Sequence, residues 1–118
     1  RVESSINNYI DLSKQHSEHN ELNELIKNNE PILVWGAGMY TLRLLEDGLL
    51  NRCNIISFID KDSNKQGNKI NDISITSPET IKTHTKMPII IASAIHGKAI
   101  KAEIEQIDGN SNRKTIIL

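Results

Sequence analysis

The sequence predicts an α/β fold: a doubly wound, five-stranded parallel sheet with strand order 3-2-1-4-5, preceded by an N-terminal helical segment. Three observations predict it. Short apolar runs alternate along the chain with stretches whose apolar residues recur at helical spacing. The first run, Ile32-Leu33-Val34-Trp35, passes directly into Gly36-Ala37-Gly38. The apolar supply is dominated by isoleucine, with 20 residues, while Phe, Trp and Tyr together make 3%, and β-branched side chains favour strands.

Residues 1–30 hold neither glycine nor proline and are rich in Asn, Glu, Ser and His. Val2, Ile6, Tyr9 and Ile10 follow helical spacing, as do Leu22, Leu25 and Ile26. The polar run Gln15 to Asn20 separates them, so two short helices are expected. Their apolar stripes are narrow, and such helices need something to dock on. The change of composition at Asn28-Asn29-Glu30-Pro31 divides a helical appendage, 1–30, from an α/β domain, 31–118.

In that domain, residues 32–35 form an uninterrupted apolar run, as a strand covered on both faces requires. A helix follows, with Leu42, Leu45 and Leu49 on one side and Arg43, Glu46 and Asp47 on the other. Ile55 to Asp60 is the second strand, bounded by Asn54 and the polar stretch Lys61 to Asn68. Ile73-Ser74-Ile75 is the third. Ser77 then caps a helix with Pro78 in its first position. Ile89 to Ala92 is the fourth strand. Lys98 to Ile107 is a helix with Ile100, Ile104 and Ile107 in register, ended by Gly109 in a left-handed conformation. Thr115 to Leu118 is the fifth strand. Right-handed crossovers between parallel strands lead to the stated order.

The chain has 118 residues with 14 Lys+Arg against 15 Asp+Glu, which disfavours a nucleic-acid binder with its usual basic excess. The scarcity of rings also disfavours a stacking platform for single strands. One cysteine, Cys53, excludes an internal disulfide and a cysteine-built zinc site, and it reads as core. No apolar run has the roughly 20 residues that cross a bilayer, nor is there a secretory leader, so a cytoplasmic location without membrane partners is expected. His16 and His19 lie three apart without a third ligand, so no metal is expected. The chain begins with Arg1 rather than Met, which suggests a piece of something larger.

In a sheet of this order, ligands bind beyond the carboxyl ends of the strands where the winding reverses. Three segments meet there: Gly36-Ala37-Gly38-Met39-Tyr40-Thr41, Asp60-Lys61-Asp62, and Ser93-Ala94-Ile95-His96-Gly97. Gly36 permits the tight exit from the first strand. Gly38 lets main-chain N–H groups approach a phosphate at the helix N-terminus. Thr41 replaces the third glycine of the dinucleotide fingerprint. Asp60, 24 residues past Gly36, is placed to accept hydrogen bonds from a ribose diol. Gly36, Ala37, Gly38, Met39, Thr41, Asp60, Ser93 and His96 are therefore the candidate nucleotide- or phosphate-binding residues. His96 could also shuttle a proton, or be a surface histidine beside Gly97. Ser93 is a phosphate contact or a helix cap. Lys61 and Lys65 could attract phosphates or simply be solvated. A methyl-donor pocket is disfavoured, because Val34 stands where an acidic residue would precede the turn and Tyr40 interrupts the glycine pattern. A P-loop is absent. No catalytic set is visible, and the chain reads as a binding module.

The segments Ile32–Thr41, Phe58–Gly67 and Ile75–Glu79, with Pro88-Ile89-Ile90-Ile91-Ala92, resemble the C-terminal Rossmann-like domain of sugar C-methyltransferases and related methyltransferase-type proteins of polysaccharide and deoxysugar biosynthesis. The strand–Asp–Lys–Gly layout is also similar to the N-terminal domains of acyltransferases that modify nucleotide sugars. The resemblance implies an accessory domain that helps a catalytic domain of the parent chain hold a nucleotide sugar. S-adenosylmethionine and the acid–base residues would then lie in that other domain. The turn here is Gly-Ala-Gly rather than Gly-Ala-Ala, and Trp35 precedes it. Two alternatives stay open: an NAD-binding domain of an oxidoreductase, and a ligand-free structural or oligomerisation domain.

Overall fold

The computed structural model describes residues 20–109 and 113–118. The expected helix over Val2 to Ile10 and the pair His16 and His19 lie outside the described residues. The elements, in chain order, are a helix covering residues 20–27 (α1), β1 Pro31–Trp35, α2 Met39–Glu46, β2 Asn54–Ile59, β3 Lys69–Ile70, β4 Ile73–Thr76, α3 Thr80–Thr83, β5 Ile89–Ile91, α4 Gly97–Asp108 and β6 Thr115–Ile117.

Among the described residues the sheet has six strands, in the order β3-β4-β2-β1-β5-β6. Five of them run parallel in the order expected from the sequence. The sixth, β3, corrects the expected strand count. It is two residues long and pairs antiparallel with β4, Ile70 opposite Ile73. Asn71 (φ 50) and Asp72 (φ 67) make the two-residue turn with both centres left-handed, which matches the twist of a hairpin.

Period-2 geometry sends alternate residues of each strand to opposite faces, and two core layers result. Ile32 and Val34 of β1, with Phe58 and Ile90, join Leu22 and Leu25 of α1 and Leu44 and Leu45 of α2. Leu33 and Trp35, with Ile59, Ile89 and Ile91, join Ile81 of α3 and Ile104 of α4. Helices thus cover both faces, which explains why β1 and β5 are apolar without alternation. Each fully buried isoleucine contributes about 1.5–3 kcal/mol relative to exposure.

Local details follow from residue chemistry. Helix α1 ends in a Schellman arrangement. Asn29 takes φ 51, Glu30 N–H donates to Leu25 O at 2.9 Å and Asn29 N–H to Ile26 O at 3.1 Å, and Pro31 prevents continuation. Gly109 ends α4 at φ 63 and ψ 51, as the sequence suggested. In β2 the register against β1 jumps from Ile32–Ile55 to Leu33–Ser57, so Ile56 is an extra residue and points outward, 41% exposed. Two helix expectations are corrected. On α2 the buried face is Thr41, Leu44 and Leu45, whereas Leu42 is exposed. The helix drawn from Ser77 is only Thr80–Thr83, with Glu79 at its N-cap and no side-chain cap. Pro78 lies in the preceding turn, where Thr80 N–H reaches Ser77 O at 3.0 Å.

Cys53 is half-buried at the entry to β2, packed against the first core layer. Burial pushes its thiol up from 9.0 to about 11, with Arg52 opposing weakly. The folded state therefore favours the protonated thiol. Any stability this provides is present below the ordinary thiol value and is lost as pH rises toward about 11. Alkylation by iodoacetamide at pH 8 is expected to be much slower in the folded chain than in urea. Equal rates would contradict this placement.

Candidate functional site

The site is built around the exit from β1. Gly36 has φ +123, a region that L side chains avoid, and an added Cβ would lie 2.7 Å from Ala92 O. Its N–H donates to Ile59 O at 2.6 Å. Glycine therefore lets the turn pass between the ends of β2 and β5. The Thr41 side chain is fully buried and its hydroxyl donates to Gly36 O at 2.9 Å, closing the turn from within. Gly38 differs from Gly36: it is the extended N-cap of α2 (φ −100, ψ −163), with no side-chain cap hydrogen bond. The nearest atom to a Cβ placed there is Lys65 Nζ, at 3.5 Å.

Above this turn lies an open cleft of about 450 Å³. It sits where the sheet winding reverses between β1 and β5, the position at which doubly wound sheets hold ligands. Of the expected residues, Gly36, Ala37, Gly38, Asp60, Ser93 and His96 line it. Met39 and Thr41 are not among its lining residues: Met39 is 74% exposed and Thr41 is buried. Trp35 forms part of the lining while remaining 4% exposed in the second core layer, so it is both core and cleft wall. Lys61, Lys65 and Glu103 also border the cleft. Glu103 gave no signal in the sequence, because a glutamate on an amphipathic helix looks like any solvated charge.

Asp60 is held firmly. Ala37 N–H donates to its Oδ2 at 3.0 Å and Asp62 N–H to its Oδ1 at 2.9 Å, while Gln66 Nε2 donates to its main-chain O at 2.8 Å. The carboxylate thus ties the end of β2 to the glycine turn. Ser93 Oγ accepts the His96 N–H at 3.0 Å, fixing the entry to α4, and among the described residues its own proton has no acceptor. His96, exposed, is the N-cap of α4 without side-chain capping. Lys61 Nζ meets Glu103 Oε2 at 3.1 Å, linking the end of β2 to α4; exposed pairs of this kind contribute about 0–1 kcal/mol.

The arrangement offers the main-chain donors at the start of α2, two ammonium groups each beside a carboxylate (Lys61 with Glu103, Lys65 with Asp60), one hydroxyl and one imidazole around an opening. This chemistry suits binding and orienting an anionic, hydroxyl-bearing molecule. Among the described residues no group of three or more His, Cys, Asp or Glu is placed to hold a metal ion, and no helix is long and apolar enough to cross a membrane.

The family described as C2185-like, N-terminal matches residues 28–116. The chain belongs to this family. Among the described residues, the matched span covers β1 to β5, β6 as far as Ile116, and every residue lining the cleft. A crystal structure of UDP-D-quinovosamine 4-dehydrogenase from Vibrio fischeri is similar, with TM-score 0.50 and 25% sequence identity. The likeness covers 67% of this chain and 72% of that one. The similar structure is thus a sugar-modifying dehydrogenase, and neither comparison names a methyltransferase. No curated protein matches the chain.

Proposed function

We propose that this chain is an accessory domain that binds a nucleotide sugar for a larger sugar-modifying protein. The observation that carries the reading is the open cleft over Gly36–Gly38 at the winding reversal, bordered by Lys65, Ser93 and His96. In this reading the diphosphate lies over the turn, and the sugar hydroxyls face Ser93 and His96. The domain binds and presents; the bond-changing groups belong to a catalytic domain of the parent chain. Likeness to a protein acting on a UDP-sugar supports the substrate class. The resemblance of the Gly36, Asp60 and Pro78 segments to sugar C-methyltransferases favours methyl transfer as the parent reaction, with S-adenosylmethionine held in the other domain.

One observation favours a second reading. The similar structure is a dehydrogenase, and a Gly-x-Gly turn followed by an acidic strand end also suits NAD. Calorimetry separates the two. Nucleotide-sugar binding predicts measurable heat with a UDP-N-acetyl sugar and a much weaker response to NAD. Clear preference for NAD would transfer the site to the oxidoreductase reading, and silence with both would leave a structural domain.

A further inference from the structure

At the cleft, the structure joins Asp60 and Lys65 in a way that their separate positions in sequence do not show. Asp60 occupies the strand end where a carboxylate would receive a ribose diol, and each of its oxygens also accepts one main-chain N–H, from Ala37 and Asp62, which ties it to the turn. Its negative charge beside the turn would repel a phosphate unless a cation compensates it. Lys65 is that cation. Its ammonium lies 4.0 Å from Asp60 Oδ2, beyond hydrogen-bond reach, and 3.5 Å from where a Gly38 Cβ would stand. It borders the cleft, its side chain is 42% exposed, and among the described residues it donates no hydrogen bond. The ammonium therefore stands beside the space above Gly38 with donors unused among the described residues.

We infer that Lys65 is the side chain that takes the ligand's phosphate above Gly38, and that Asp60 is a positioning residue that holds the turn and the ammonium together. This inference rests on the nucleotide-sugar reading and sharpens it: the phosphate is the recognised group. The backbone at Gly38 does not demand glycine; a Cβ there would stand in ordinary contact with the ammonium, and a longer side chain would narrow the space above the turn.

The test uses the full chain with UDP and uridine as probes in calorimetry. Wild type is expected to bind UDP far more tightly than uridine. Lys65→Met is expected to weaken UDP roughly tenfold or more, the scale of one charge-assisted hydrogen bond, while leaving uridine and the thermal midpoint unchanged. Lys65→Arg should restore most of the loss. The salt dependence of UDP binding should also become shallower in Lys65→Met. If Lys65→Met binds UDP like wild type, the inference is overturned and the nucleotide-sugar reading survives. If wild type itself binds neither UDP nor a UDP-sugar, both are overturned.

Discussion

Replacing Arg113 with alanine is expected to destabilise the chain by about 3–5 kcal/mol, the usual cost of removing one partner of a buried ion pair. Arg113 is 2% exposed and Asp108 7%. Nε donates to Asp108 Oδ2 at 2.7 Å and Nη2 to Oδ1 at 3.1 Å, the two-pronged geometry special to arginine. The remaining donors reach the main chain around α3. Nη1 donates to His84 O at 2.8 Å and Met87 O at 2.6 Å, and Nη2 to Ile81 O at 3.0 Å. One side chain thus joins the end of α4, the end of α3 and the approach to β5. Alanine would leave the Asp108 carboxylate without its cation and three carbonyls without this donor. Against a typical total of about 5–15 kcal/mol, the loss is large. Arg113→Lys should recover only part of it, because an ammonium cannot span the same fork. Urea denaturation measures this directly, and an Arg113→Ala chain within about 0.5 kcal/mol of wild type would contradict it.

Gly36→Ala should cost about 3 kcal/mol or more, combining a disfavoured backbone region with a clash. The added carbon would stand 2.7 Å from Ala92 O and 3.2 Å from Thr41 Oγ1. The carbonyl belongs to the main chain just beyond β5 and has little freedom to yield. The comparison with Gly38→Ala makes the prediction sharp. At Gly38 the backbone is extended and only the tip of Lys65 is near, so stability should change little while nucleotide affinity falls. Denaturation curves for both variants, read alongside UDP binding, separate the two glycines. Equal stability losses at both positions would contradict the distinction.

The parallel sheet was legible because its signals are local and repeated. Ile32 to Trp35 and Ile89 to Ile91 are apolar without interruption since both faces are covered, and the glycine turn marks the edge of the ligand crevice. The short strand β3 was not legible. Two residues carry no period, and its signal was the pair Asn71-Asp72 between Ile70 and Ile73. The inward face of α2 was half legible, because Leu42, Leu44 and Leu45 offer two overlapping stripes and only packing on the sheet chooses between them. At the site, the residues were legible but their tasks less so. Sequence spacing located Asp60 at the end of β2; it could not show that each carboxylate oxygen accepts a main-chain N–H and so fastens the glycine turn. Arg113 gave no warning, since besides Asp108 its partners are carbonyls 26 to 32 residues away.

A nucleotide sugar seated in the opening above Gly36–Gly38 would perturb the amides that line it. Titrating a UDP-sugar into isotope-labelled chain while following main-chain amide resonances should give saturable shifts at residues 36–41 and 93–97, with β3 and β6 undisturbed. Amides 36–41 that stay fixed at saturating ligand, or shifts gathered elsewhere, would contradict that placement.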